Sequence, residues 1–189
     1  MSNSAVWQFE PDRTQNWAYV NNMLTSEECA QIIELGNTKL QEATVFGPNS
    51  GMRDSKVAWL YGSDIEYVFR KVTSAITGAN EQFFNFDLFG LAEGFQFTRY
   101  DAPSGHYGMH IDKILLHQVR KLSLTIQLSA PEDYEGGELA LHVGPQPDIM
   151  SKEQGQMFIF PSYVLHEVRP VTKGTRYSLV AWVTGKPFK

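Results

Sequence analysis

The segment KLSLTIQLS (121–129) limits the fold more than any other, because its apolar and polar residues alternate without a break. In an extended strand Leu122, Leu124, Ile126 and Leu128 share one face, and Ser123, Thr125 and Gln127 share the other. A helix cannot separate these two sets. The pattern returns in shorter form in GELALHV (137–143), QMFIFP (156–161), YVLHEV (163–168) and RYSLVAWV (176–183). Pro-Glu-Asp, Gly-Gly, Gly-Pro and Lys-Gly steps punctuate the series, which predicts a β-sandwich or barrel rather than alternating βαβ units. The polar face of the first strand leaves two readings open. It points to solvent, as one side of an antiparallel sheet often does, or it faces inward onto something polar that offsets its burial.

The first half reads helical. Thr25-Ser26-Glu27-Glu28 fits a capping box, and Cys29, Ile32, Ile33 and Leu40 follow as an approximate apolar stripe. A second helix is expected from Ser63, with Glu66 at the box position. It carries Ile65, Val68, Phe69, Val72 and Ile76 and stops near Gly78. Between the helices, residues 44–62 read as a loop leading into a strand. That stretch is either a lid carrying Arg53 and Trp59 and hinged at Gly47-Pro48 and Gly51, or a fixed edge with Trp59 in the core. Helices before strands imply an α+β fold with helices buttressing a β-core. A single domain over 1–189 is expected, with helical support over 1–92 and the β-core over 93–189.

Composition removes several function classes. Hydrophobic residues at 42% and aromatics at 13% exclude a disordered or fibrous chain. No apolar run approaches the roughly 20 residues that span a bilayer, so no membrane is expected. Lys+Arg 16 against Asp+Glu 21 gives a net charge of −5. The densest basic cluster is Arg120-Lys121, so a nucleic-acid partner is disfavoured. Cys29, the single cysteine, cannot form an internal disulfide, and MSNSAVWQFEPDRTQNW lacks the marks of a signal peptide. The expectation is a cytoplasmic protein.

Chemistry enters at His110-Ile111-Asp112. On an extended segment the imidazole and carboxylate point the same way. Alone the pair is weak, since an exposed His-x-Asp near a strand start is common. His166 lies in the most apolar stretch, where a lone histidine is more often a core residue bonded to backbone. Together the three make a two-histidine, one-carboxylate set of the kind that holds Fe(II) with open positions. Arg176 heads a nearly apolar strand and shares a face with Ser178, Val180 and Trp182. It serves either a structural salt bridge or a bidentate grip on a small dicarboxylate, to which Ser178 could donate its hydroxyl.

YDAPSGHYGMHID, RKLSLTIQLS, YEGGELAL and FPSYVLHEVRPVTKGTRYSLVAW together resemble the prolyl-4-hydroxylase-like branch of the Fe(II)/2-oxoglutarate-dependent dioxygenases, in particular its small microbial hydroxylases. The resemblance is strong over about 95–185 and weaker back through RDSKVAWL. It implies a double-stranded β-helix, a cupin-like jelly roll with N-terminal supporting helices, and an inward polar face. It implies His110, Asp112 and His166 as iron ligands and Arg176 as the anchor of the distal 2-oxoglutarate carboxylate, with Lys173 the nearest rival. Tyr100, Tyr107 and Trp182 match pocket aromatics, and Gln127 matches a second partner for that carboxylate. Fe(II), 2-oxoglutarate and O2 follow as cofactor and cosubstrates, and the resemblance extends to ascorbate. The implied reaction hydroxylates a C–H bond of a prolyl residue in a peptide or protein. A free amino acid or other small molecule, and a non-catalytic sensor of iron and 2-oxoglutarate, are the alternatives. His106 and His117 read as loop residues near the entrance, His142 as a strand residue, and Met109 as packing.

Overall fold

In the first helix, α1 (Ser26–Asn37), the Thr25 hydroxyl accepts from the Glu28 amide at 3.2 Å and the Glu28 carboxylate accepts from the Thr25 amide at 2.9 Å. The capping box read from the sequence thus forms. This is a computed structural model, and it describes residues 15–43, 51–112, 114–115 and 118–187. The second helix, α2 (Gly62–Ala79), starts one residue before the expected Ser63. The Tyr61 amide donates to Asp64 at 3.0 Å, so Asp64 and not Glu66 holds the reciprocal position. Glu66 instead pairs with Arg70 one turn on, at 2.7 Å on the exposed side. Ile65, Val68, Val72 and Ile76 are buried as the stripe requires, with Phe69 packed beside them.

The strands of the first half are β1 (Ala18–Val20), β2 (Gln41–Glu42), β3 (Arg53–Asp54), β4 (Lys56–Leu60) and β5 (Leu88–Leu91). Then come β6 (Phe95–Asp101), β7 (His106–His110), β8 (Ile114–Leu115), β9 (Gln118–Gln127) and β10 (Tyr134–Gly136). The last are β11 (Leu139–His142), β12 (Asp148–Ile149), β13 (Met157–Pro161), β14 (Leu165–Val168) and β15 (Val171–Gly185). The larger sheet runs β1-β13-β9-β15-β6-β4-β2, with β5 and β10 on β15 and β8 on β9. The smaller runs β12-β11-β14-β7-β3. Neighbours pair antiparallel, as a jelly roll requires. The fold is α+β, a double-stranded β-helix buttressed by helices.

Two apolar clusters hold it. One joins α1 and α2 to the outer face of the large sheet through Leu122, Leu124, Ile126, Leu128, Leu179 and Ala181. The other lies between the sheets and includes Tyr134, Leu141, Phe158, Phe160 and Val171. The polar face of β9 therefore turns inward: Ser123, Thr125 and Gln127 are buried.

The first half is not only helical, since β4 is an inner strand of the large sheet and β3 borders the small one. Residues 53–60 are accordingly a fixed edge rather than a lid. Trp59 is neither in the core nor on a flap: it lines the cavity between the sheets. The expected hinge at Gly47-Pro48 lies outside the described residues. No helix among the described residues is long and apolar enough to cross a membrane.

Candidate functional site

Strand register brings the two histidines together. β14 pairs with β7 so that His166 lies directly opposite His110. Asp112 follows two residues on, where its amide donates to the Ser162 carbonyl at 3.0 Å. One ligand atom from each of His110, Asp112 and His166 lies within 4.8 Å of the others. His110 Nε2 is 3.6 Å from Asp112 Oδ1, and His166 Nε2 is 3.5 Å from Asp112 Oδ2.

Backbone carbonyls settle which ring nitrogen carries the proton. Nδ1 of His110 faces the Gly108 carbonyl at 2.7 Å, and Nδ1 of His166 faces the Val164 carbonyl at 2.9 Å. A carbonyl only accepts, so both Nδ1 atoms donate and both Nε2 lone pairs turn towards Asp112. Burial, reinforced by His166, pushes the His110 imidazole down to about 4, so it is neutral near pH 7. Burial opposes the charge on Asp112, but His166, His110, the Trp182 side chain and the Ser123 hydroxyl together hold its carboxyl below the ordinary range. The Tyr107 ring stacks on His110 at 3.6 Å, and Phe160 meets His166 edge-on at 4.8 Å.

Arg176 is 1% exposed, further down the same interior. Its Nη2 donates to Gln127 Oε1 at 2.8 Å and the Tyr134 hydroxyl lies beside it, while Nε and Nη1 close no hydrogen bond among the described residues. A buried guanidinium with two unused N–H edges is costly as it stands and suited to an anion with two oxygens. Gly137 makes room for it: a Cβ there would stand 3.1 Å from Arg176 Cδ and 3.2 Å from Tyr134 Cε2, at a φ of +67°.

One cavity of about 320 Å³ joins the triad to Arg176, and Tyr100, Tyr107, Ser178 and Trp182 also line it. Gln127 does not line the cavity but stands behind Arg176 and holds it, so its place differs from the expected direct carboxylate partner. Trp182 sits at the triad end, in register with Ser123 rather than near Arg176, with the Arg120 guanidinium 3.8 Å above its ring. Lys173 is exposed and pairs with Glu135 at 2.9 Å, away from the cavity.

Other expectations shift. His106 is a strand residue of β7 held between the carbonyls of Ser104 and Gly51, not a loop residue. Met109, at 54% exposed, is not packing. His142 is on β11 as expected and faces Glu167 at 3.3 Å; His117 lies outside the described residues. Sequence reasoning missed Arg53, Trp59, Glu93, Gln96 and Arg120 as cavity wall. The alternation of KVAWL and FQFTRY, which puts Val57 and Trp59, then Gln96, Thr98 and Tyr100, on one side, carried the signal for part of that wall.

Residues 95–184 match the model of the 2OG-Fe(II) oxygenase superfamily. A PKHD-type hydroxylase of Prochlorococcus marinus (strain NATL2A) is 40% identical over 100 residues, covering 52% of this chain and 45% of the relative. Another, from Synechococcus sp. (strain JA-2-3B'a(2-13)), is 35% identical over 122 residues, covering 60% of this chain and 54% of the relative. This chain thus spans about half the length of the curated relatives it matches. Among solved structures, a Trichoplax adhaerens prolyl hydroxylase in complex with a hypoxia inducible factor peptide fragment superposes with a TM-score of 0.75. It is 22% identical and covers 90% of this chain and 84% of its own. A Pseudomonas putida prolyl-4-hydroxylase gives 0.72 at 19% identity, covering 92% and 95%. The family match thus covers the strands that carry the triad and Arg176: residues 95–184 match the 2OG-Fe(II) oxygenase superfamily, and the chain shares its fold with the prolyl hydroxylases above.

Proposed function

We propose that the chain is an Fe(II)- and 2-oxoglutarate-dependent dioxygenase that hydroxylates a prolyl residue in a peptide or protein. One observation carries the reading: a two-histidine, one-carboxylate set and a buried arginine with unused N–H groups face the same cavity. His110, Asp112 and His166 would hold the metal, since two neutral imidazoles and a carboxylate are the donor set for Fe(II) with positions left open. Arg176 would take the distal carboxylate of 2-oxoglutarate through Nε and Nη1. Ser178 and Tyr100 would add donors beside it, while Gln127 keeps the guanidinium in place. Bound there, Fe(II), 2-oxoglutarate and O2 supply the oxidising chemistry that turns C–H into C–OH with release of succinate and CO2.

The chain's own part is geometry and the exclusion of water. Tyr107 and Phe160 flank the two imidazoles, and Trp182 closes the triad end of the cavity. Ascorbate belongs to the scheme on the resemblance alone. A cytoplasmic setting fits the buried free thiol of Cys29. A peptide substrate is favoured by the branch and by aromatic and charged side chains in the cavity lining, Trp59, Arg53, Glu93 and Arg120. The net charge of −5 speaks against nucleic acid.

The test incubates iron-loaded protein and 2-oxoglutarate with proline-containing peptides or with free L-proline, reading succinate and the gain of one oxygen by mass. Succinate that tracks peptide oxidation is the expected result. Robust turnover of free proline with none on any peptide would overturn the substrate, and 2-oxoglutarate binding with no oxygen consumption on either would favour a sensor.

A further inference from the structure

Asp112 is held at two points by one pair of serines. Its amide donates to the Ser162 carbonyl at 3.0 Å, and its Oδ2 accepts from the Ser123 hydroxyl at 2.8 Å. The Ser123 and Ser162 hydroxyls lie 2.9 Å apart, and both residues are buried, at 1% and 0% exposure. The direction of this chain of bonds follows from chemistry. The ionised carboxylate can only accept, so the single hydroxyl proton of Ser123 goes to Asp112. Ser123 must then accept from Ser162. The order is Ser162 to Ser123 to Asp112, with no proton left over.

The elements that carry these residues are themselves fixed. Ser123 is an interior residue of β9 paired with Phe160 on β13 and Trp182 on β15. Ser162 follows β13, and its amide donates to the Lys121 carbonyl at 3.0 Å. The last bond of a short carboxylate side chain rotates easily, and Trp182 and Ser123 are the side-chain donors that restrict it here. Of these, the Ser123 hydroxyl is fixed on Oδ2 and sets which way the group faces the two Nε2 atoms.

We infer that the Ser162–Ser123 pair is a positioning device for Asp112, preorganising the carboxylate for metal binding without touching the metal. This rests on the proposed metal-binding role of the triad. Loss of such an outer-shell partner typically costs about 10–100-fold in metal affinity. Ser162 acts only through Ser123, so the two substitutions should not add.

The test titrates the metal-free full chain with Mn(II), with folding checked by circular dichroism. Ser123→Ala should weaken Mn(II) binding about tenfold or more, and Ser123→Thr, which keeps the hydroxyl, should restore most of it. Ser162→Ala should weaken binding in the parent and change nothing further in the Ser123→Ala background. That non-additivity is a pattern that general loosening of the fold would not give. Asp112→Ala is the control for the triad itself. If it loses Mn(II) while Ser123→Ala binds as tightly as the parent, the relay is overturned and the triad stands. If Asp112→Ala also binds as tightly as the parent, the triad reading falls and the relay with it. If the Ser123→Ala chain does not fold, the Ser162→Ala titration decides alone: parent-like affinity overturns the relay.

Discussion

The two faces of strands β9 and β15 differ sharply. Towards the helices they present Leu122, Leu124, Ile126, Leu179 and Ala181, all 0% exposed and joined in one apolar cluster. Towards the small sheet they present Ser123, Thr125, Arg176, Ser178 and Trp182 around a cavity. Both faces are buried, but only the first is satisfied by what the described residues supply. The second leaves Arg176 Nε and Nη1 without hydrogen-bond partners among them. A buried face left incomplete among the described residues fits the proposed ligand site, whereas the apolar face is organised for stability.

That contrast can be broken by substitutions on each side. The largest effect is expected at the triad: Asp112→Ala should end turnover and weaken metal binding by more than the roughly 10–100-fold of an outer-shell loss, as metal analysis and succinate release would show. His110→Ala and His166→Ala should behave alike. On the apolar face, Leu179→Ala should cost about 2–5 kcal/mol in denaturant unfolding, the range for a buried leucine, while the folded fraction keeps its affinity for 2-oxoglutarate. Arg176→Ala should do the reverse. It should weaken 2-oxoglutarate binding by about 1.5–3 kcal/mol, the worth of a hydrogen bond to a charged group, with metal binding retained. It should also leave unfolding stability little changed, because removing a buried charge that has no carboxylate partner among the described residues offsets the lost hydrogen bond to Gln127.

Acid should act more gently. In the metal-free protein the folded-state value of His110 is lowered to about 4 from 6.5. The unfolded chain therefore binds the extra proton first as pH falls. Its contribution to stability is whole above about pH 6.5 and drains away as pH approaches 4, which unfolding midpoints across that range would follow. The smallest effect belongs to Lys173→Ala. Its exposed pair with Glu135 is worth at most about 1 kcal/mol, and 2-oxoglutarate affinity should not change. A larger defect here than at Arg176 would reverse the assignment of the anchor.

The sequence exposed some of this architecture and hid the rest for physical reasons. Alternation in KLSLTIQLS and RYSLVAWV was enough to separate the two faces, because a side-chain period of two leaves no other arrangement of those leucines. The capping box at Thr25 was equally legible, since all its parts are local. Pairing partners were not. β3 is two residues long and joins the small sheet only by its register with Tyr107 and His106, a long-range fact absent from its own residues. The same limit turned Trp59 into a lid or core residue on paper and a cavity wall in space. Gln127 faced the right way by alternation, but its hydrogen bond to Arg176 places it behind the guanidinium rather than in the cavity.

A crystal structure with Mn(II) and 2-oxoglutarate, kept free of oxygen, tests the central claim most directly. The account predicts one metal ion bonded by Nε2 of His110, Nε2 of His166 and the Asp112 carboxylate, with the far carboxylate of 2-oxoglutarate on Nε and Nη1 of Arg176. A metal bound elsewhere, or a carboxylate held at Lys173 with Arg176 untouched, would contradict it.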